Sequence, residues 1–129
     1  MKTKISLIIS CLLGLALIFM GARFLISPEV GEMGYGIHFN EQGDYSFHYV
    51  KGIRDIFSGL IIFLLALTNE RRALAFTLLM GSIIPTVDSC IVLSKSYTGF
   101  TQAIPHLAAI IILLVLGILL LVKRKAKKI

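Results

Sequence analysis

Long apolar runs constrain this chain more than any other feature of its sequence. Residues 5–26 form the first run, behind Lys2 and Lys4. As an α-helix that rises about 1.5 Å per residue, this run is about 33 Å long. A bilayer has a hydrocarbon core of about 30 Å. The run therefore predicts a transmembrane helix, which we favour over the alternative of a secretory signal peptide because the apolar sequence continues past Ala22.

The overall composition also indicates a membrane protein. Of the residues, 57% are hydrophobic and 16% are charged, and the mean hydropathy is +0.88. A soluble domain is about half apolar and a quarter charged, so we expect the lipid bilayer to surround this chain. The net charge of +6 does not indicate nucleic acid, because nine of the 13 Lys and Arg residues lie in short clusters beside apolar runs.

Three further apolar runs follow the first. They predict an all-α membrane protein, an antiparallel bundle of four transmembrane helices in a single domain. The segment 27–44 between the first two helices is rich in Gly and polar residues and is predicted to be the one sizeable loop. The predicted helices are residues 5–26, 45–68, 73–93 and 102–122, and a basic tail follows at residues 123–129.

The start of the second helix has two interpretations. Asp44 is a suitable N-cap, and the aromatic residues that follow would lie at the membrane interface. A β-hairpin that pairs Ile37 and Phe39 with Tyr45 and Phe47 is the alternative. We favour the helix.

The distribution of Lys and Arg predicts the orientation. With four crossings, one side of the membrane receives both termini and the turn at residues 69–72, which together hold nine basic residues. The opposite side receives Lys95, with Lys51 at the start of a helix. Positive charge favours the cytoplasmic side. The chain is therefore predicted to lie in the cell membrane with both termini in the cytoplasm.

Each predicted helix carries an ionisable side chain at a similar depth. Counted from the cytoplasmic boundary, the first of these residues lies at about 27 Å and the others at about 20 to 24 Å. Charge within a membrane helix is costly, so such residues usually have a partner or a function. They are Arg23, Asp55 beside Arg54, Asp88 and His106.

Small and polar residues on the second helix form one stripe. His48, Gly52, Asp55 and Gly59 are separated by intervals of four, three and four residues. Small residues at this spacing allow membrane helices to approach closely. We therefore expect the second helix to pack tightly. We also expect His48 and Asp55 to belong to one ligand-binding or ion-pair network, whose other members are Arg23, Arg54, Asp88 and His106.

The polar residues allow several functions. Arg23 and Arg54 are candidates to hold an anionic or carbonyl group of a small amphipathic ligand, and Asp88 with His106 is a candidate proton-transfer pair. An intramembrane acid–base enzyme of the isomerase or cyclase type is one alternative. An accessory subunit, in which the charges only hold the helices together, is another. A proton-coupled transporter would need at least a dimer.

Other chemistry finds no support in the sequence. No spacing of His, Cys and carboxylates indicates a metal site, and no motif for a bound cofactor is present. Cys11 and Cys90 lie in different apolar runs, at depths that differ by about 15 Å, so we expect no disulfide between them. A homodimer or another membrane protein remains a candidate partner.

Several of these residues also resemble a family. The pattern consists of Gly21-x-Arg23 with Pro28, the segment 51–55 with its Gly-Ile-Arg-Asp element, Ile84-Pro85 followed by Asp88, and His106. It resembles a family of small four-helix membrane proteins known only as a domain of unknown function, and more distantly the DoxX-like membrane proteins. The resemblance implies a four-helix membrane fold and no established activity. DoxX-like proteins are linked to quinone or thiol redox systems, but this chain lacks paired cysteines.

Overall fold

The computed structural model describes residues 2–38 and 43–122. These residues form six α-helices and no strand, so the all-helical prediction is confirmed. The predicted basic tail lies outside the described residues. The helices are α1 (Lys2–Ile26), α2 (Pro28–Tyr35), α3 (Ser46–Leu67), α4 (Arg71–Gly81), α5 (Ile83–Leu93) and α6 (Phe100–Leu121).

Three segments of the described chain are long and apolar enough to cross a membrane. They are Thr3–Ile26, Arg71–Leu93 and Phe100–Leu121. Their outward faces carry large exposed apolar side chains, such as Ile8, Phe19 and Ile111. Apolar surface of this extent is favourable in lipid and unfavourable in water. The helices therefore indicate a membrane protein.

Helix α3 differs from these three segments by its charge. It has 22 residues, and every stretch of 18 residues within it contains Lys51, Arg54 and Asp55. Length alone would allow it to cross, but its composition does not identify it as a span. The four-crossing bundle therefore stays a prediction.

Glycines bring α3 against α1. A Cβ atom at Gly14 would lie 2.7 Å from the carbonyl oxygen of Gly59, and a Cβ atom at Gly59 would lie 2.5 Å from that of Gly14. Gly21 and Gly52 face each other in the same way. Because the earlier glycine of α1 meets the later glycine of α3, the two helices are antiparallel. Their backbones are too close for any larger residue at these positions.

An apolar core fills the end of the bundle that contains the α3–α4 turn. Leu74, Ala75 and Leu78 of α4 are fully buried. At Gly117 of α6, an added Cβ would lie 2.6 Å from Leu79 of α4, so these two helices are also closely packed. The remaining members of the core are Ile62, Ala66, Leu113, Leu116 and Leu120.

The predicted third helix is interrupted. Helix α4 ends at Gly81 and α5 begins at Ile83, with Ser82 between them. Pro85 has no N–H group to donate to the carbonyl of Gly81, so the regular helical hydrogen bond is absent there. The chain continues from Ser82, whose carbonyl accepts a bond from Thr86 N–H at 3.2 Å.

The predicted loop at residues 27–44 contains a helix, which corrects the sequence interpretation. Pro28 occupies the first turn of α2, where its missing N–H is tolerated. Gly36 ends the helix with φ 92°, and its N–H donates to the carbonyl of Glu32. Glycine is favoured there because this backbone conformation is left-handed. The Gly and Pro residues that indicated a loop are the signals that begin and end α2.

The start of α3 is helical where the hairpin alternative placed a strand. Phe47 lies in α3, while its proposed partner Phe39 lies outside the described residues. The oxygen Oδ1 of Asp44 accepts a hydrogen bond from Ser46 N–H at 3.0 Å and one from Ser46 Oγ at 2.6 Å. These bonds lower the pKa of Asp44.

Replacing Gly59 by alanine tests the close approach of α1 and α3. The added Cβ would overlap the backbone of Gly14, and overpacking of this kind costs about 1–3 kcal/mol. We expect a lower midpoint of thermal unfolding in detergent for Gly59→Ala. Gly81→Ala is the matched control, because no atom lies within 4 Å of a Cβ at that position. Equal midpoints for the two variants would contradict the close approach.

Candidate functional site

Helix α2 is attached to the bundle through buried polar contacts. The Glu32 carboxylate lies 2.8 Å from Nε2 of His48 in α3 and 3.2 Å from Nδ1 of His38. Glu32 is 8% exposed and His48 is fully buried. The Tyr45 hydroxyl donates to Glu29 at 2.5 Å. These contacts hold α2 across one end of the bundle.

Tyr35, the last residue of α2, connects this helix with α5 and α6. Its carbonyl oxygen accepts a hydrogen bond from Nε2 of His106 at 2.9 Å. The rings of Tyr35 and His106 meet edge to face, with centroids 4.8 Å apart. The Tyr35 hydroxyl is hydrogen-bonded to Asp88. Tyr35 therefore joins α2 to two residues of the predicted site.

A cavity of about 420 Å³ lies beneath α2. All six helices contribute to its wall. A volume of this size falls within the range of about 300–1,000 Å³ that is typical of small-molecule sites. Its ionisable and phenolic side chains are Arg23, Tyr35, Lys51, Asp55, Asp88 and His106.

Lys51 and Asp55 form an ion pair in the cavity wall. The distance from Lys51 Nζ to Asp55 Oδ2 is 2.9 Å, and both side chains are largely buried. Their spacing of four residues places them one turn apart on the same face of α3. The Lys51 ammonium group also lies 4.8 Å from the ring centroid of Tyr35 and 5.1 Å from that of Phe24. Both aromatic rings stabilise the buried positive charge.

Asp88 and His106 face each other across the cavity. A carbonyl oxygen can only accept a hydrogen bond, so Nε2 of His106 carries the proton that bonds Tyr35. The other ring nitrogen, Nδ1, lies 3.9 Å from Asp88 Oδ2. This distance is too long for a direct hydrogen bond. A polar group that lies to one side of this pair can hydrogen-bond to both side chains.

The two arginines occupy different surroundings. Arg23 is half-buried and lines the cavity, and its guanidinium carbon lies 5.9 Å from the ring centroid of Phe19. Arg54 is exposed and is not part of the cavity wall. Neither arginine forms an ion pair with Asp55 or Asp88, all four being described residues.

The cavity continues from its polar end into the apolar core. Leu13 and Leu17 of α1 line this deeper part together with Ile62 of α3 and Leu113 of α6. Along α1, the distance from Arg23 to Leu13 corresponds to about 15 Å. One continuous space therefore has charged groups at one end and aliphatic side chains at the other.

A comparison with protein families assigns the chain. Residues 14–120 match a family described as a domain of unknown function, DUF4267. The chain belongs to this family. The match includes every residue of the cavity wall except Leu13. No curated protein and no solved structure gives a match. The distant resemblance to DoxX-like proteins stays a prediction.

Four of the six residues proposed from the sequence line one cavity. They are Arg23, Asp55, Asp88 and His106. His48 instead lies behind the wall, bonded to Glu32, and Arg54 lies on the outside of α3.

Three residues of this region were not predicted from the sequence. Glu32 and Tyr35 belong to α2, which was expected to be a loop, and no signal in the sequence linked them to Asp88 or His48. The role of Lys51 could have been predicted, because it precedes Asp55 by four residues, a spacing typical of helical ion pairs. In the described part of the chain, no group of three or more His, Cys, Asp or Glu side chains is arranged to hold a metal ion. Cys11 and Cys90 are both free.

The environment of Tyr35 changes the pKa of its hydroxyl group. Burial, together with the hydrogen bond to Asp88, raises the pKa of Tyr35. The folded protein therefore holds the phenol proton more tightly than the unfolded chain does, whose tyrosine has a pKa of about 10. This difference in pKa stabilises the fold below about pH 10. The stabilisation is lost as the pH rises towards the pKa of the folded state.

Replacing Tyr35 by phenylalanine tests this contact. The variant leaves Asp88 without the phenol donor, and a lost buried hydrogen bond costs about 1–3 kcal/mol. At pH 7, we expect the variant to have a lower unfolding midpoint in detergent than the wild-type protein. Between pH 9 and about pH 11, we expect its unfolding midpoint to fall by less than that of the wild-type protein. Tyr97→Phe, an exposed tyrosine, serves as the control. Parallel pH profiles for Tyr35→Phe and wild type would contradict the assignment.

Proposed function

We propose that this membrane protein binds an amphipathic small molecule with an anionic head in the cavity beneath α2. One observation carries the proposal: the cavity joins a cluster of charged and hydrogen-bonding side chains to an apolar extension. Ligand sites commonly combine a largely apolar lining with a few convergent polar groups. The ligand is expected to place its head beneath α2 and its chain among Leu13, Leu17 and Leu113.

Arg23 is the proposed partner of the head group. The charge of Lys51 is already compensated by Asp55 at 2.9 Å. Arg23 has no ion pair with either cavity aspartate, which leaves its guanidinium available to a ligand. A guanidinium binds a carboxylate or phosphate through two parallel hydrogen bonds. A carboxylate beside Arg23 would give its guanidinium the ionic partner that neither cavity aspartate supplies.

The same features distinguish this proposal from a purely structural role. In an accessory subunit whose charges only hold the helices together, each cavity charge would be matched by another side chain. The Lys51–Asp55 pair fits that description. Arg23 does not, since it forms no ion pair with either cavity aspartate. A structural role also gives no reason for the continuous space of about 420 Å³.

We further propose that α3 forms the fourth crossing of an antiparallel bundle in the cell membrane. The glycine contacts along α1 support it, because they align α3 with a helix that is long and apolar enough to span. The Lys51–Asp55 pair lowers the cost of placing charge in this helix. The positive charge of the turn at residues 69–72 favours a cytoplasmic location for that turn and for both termini.

Thermal unfolding with two matched amphiphiles tests the binding proposal. Palmitate should raise the unfolding midpoint of the detergent-solubilised protein, and hexadecanol should raise it less, because only palmitate has an anionic head for Arg23. Arg23→Gln should remove the extra effect of palmitate while leaving the free protein folded. Lys95→Gln, an exposed residue near the same end of the bundle, is the control. Equal effects of both amphiphiles on the wild-type protein would overturn the proposal.

Acid–base chemistry on the bound molecule is a second candidate function. The observation that favours it is the placement of His106, Asp88 and the Tyr35 hydroxyl at one end of the cavity. A histidine and a carboxylate that both reach one ligand group can remove and return a proton. This arrangement suits an isomerase or a cyclase.

Deuterium exchange into a long-chain 2-ketone tests this second candidate. In D₂O, the protein should accelerate exchange of the protons next to the carbonyl, measured by mass spectrometry. His106→Ala should stop this exchange and preserve binding of the ketone, whereas Arg72→Gln should change neither. Exchange no faster than in protein-free detergent would exclude proton abstraction from this class of compound.

A further inference from the structure

We infer that the ligand reaches the cavity from within the bilayer, through a gap between α3 and α5, and that Arg54 lies at the mouth of this gap. This inference rests on the proposed binding function and extends it to the source and class of the ligand. The occupant is a single-chain anionic amphiphile, such as a long-chain fatty acid.

The helix contacts leave α3 and α5 apart. Helix α3 packs along α1, and α5 packs against α6. Helix α4 meets α3 beside the turn that joins them. Within the described part of the chain, α3 and α5 are not among the pairs in sustained contact. The space between them, which we call the lateral gap, therefore lies at the level of the cavity.

Two side chains at the edges of the lateral gap belong to both the cavity and the outer surface. Phe57 of α3 is 63% exposed and Ile84 of α5 is 59% exposed, yet both line the cavity. Both side chains therefore extend from the cavity to the outer surface. Since both are apolar, the part of the cavity between them faces lipid in the proposed four-crossing bundle.

Arg54 continues the α3 edge of the lateral gap towards α2. Arg54, Phe57 and Ile61 are separated by three and four residues, so they form one stripe along the helix. Phe57 and Ile61 line the cavity, and Arg54 lies about 4.5 Å nearer α2 along the helix axis. An exposed arginine at this depth directs its guanidinium towards the polar head groups. Arg54 can therefore attract an anionic head just before the chain enters the gap.

Polar contacts hold α2 over the opposite route, which leads from water. Helix α2 is held by Glu32 to His48 and by Tyr35 to His106 and Asp88. The cavity itself begins beneath these contacts. A ligand arriving from water would have to break them, whereas a ligand arriving from lipid would pass between apolar side chains.

The cavity volume limits the ligand to one chain. At about 420 Å³, the cavity is near the lower end of the range for small-molecule sites. The head must lie near Arg23 while the chain extends towards Leu113, so the two ends of the ligand are separated along the helix axes. A fatty acid meets this requirement, and its carboxylate suits both arginines.

Timed photolabelling tests the route. The protein is placed in phosphatidylcholine nanodiscs, and palmitate that carries a diazirine at its chain end is delivered from vesicles. Leu113 is 7% exposed and lines the deep end of the cavity, so saturable labelling of its peptide reports arrival inside. Arg54→Gln should slow this labelling by about tenfold. Arg54→Lys should restore most of the rate, and Arg72→Gln should have no effect.

A chemical bridge across the lateral gap provides the second test. Phe57→Cys and Ile84→Cys are introduced together into a chain that carries Cys11→Ser and Cys90→Ser, and are joined by a bismaleimide. If the bridge is formed before palmitate is added, it should prevent labelling of the Leu113 peptide. If it is formed after palmitate has bound, it should retain the ligand in the cavity. A chain with Phe57→Cys alone, treated identically, is the control.

The outcomes separate the two proposals. If neither the bridge nor Arg54→Gln alters labelling of the Leu113 peptide, the lateral route is overturned and the binding function stays supported. No saturable labelling in the wild-type protein, together with no palmitate effect on its unfolding midpoint, would overturn both.

Discussion

The cost of charge in a bilayer governs this structure. Lipid offers no hydrogen bonds, so an ionised side chain within a membrane helix must be matched by the protein itself or reach a polar boundary. On α3, the proposed fourth crossing, the chain uses both solutions. Lys51 and Asp55 neutralise each other at 2.9 Å in the cavity wall, whereas Arg54 extends outwards. Helix α2 then covers the polar end of the cavity and supplies the donor that Asp88 would otherwise lack.

The division of the bundle into two halves follows from where glycine and leucine lie. Paired glycines fix α1 against α3 along both halves. Beside the α3–α4 turn, leucines from α4 and α6 fill the remaining space. Towards α2, the positions that would complete such a core hold Asp55, Asp88 and His106 instead. The cavity exists because these side chains do not replace the packing volume that large aliphatic residues supply.

The sequence predicted much of this arrangement, and its failures have physical causes. The helical class followed from the apolar runs, and the common depth of Arg23, Asp55, Asp88 and His106 followed from the regular rise of a helix. The face of the helix on which each residue lies was harder to predict. Arg54 is adjacent to Asp55, and a difference of about 100° places the two on different faces. Helix α2 was not predicted because it is a short, polar helix of eight residues. Gly and Pro mark the ends of helices as well as loops.

The interruption at Ser82 has a mechanical consequence. An unbroken α-helix transmits a displacement along its length through its ladder of backbone bonds. Here α4, which is buried in the leucine core, is separated from α5, which carries Ile84 and Asp88 at the edge of the lateral gap. A sideways displacement of α5 can therefore be absorbed at Ser82 and Pro85, so that the width of the gap can change while the tightly packed half of the bundle keeps its shape.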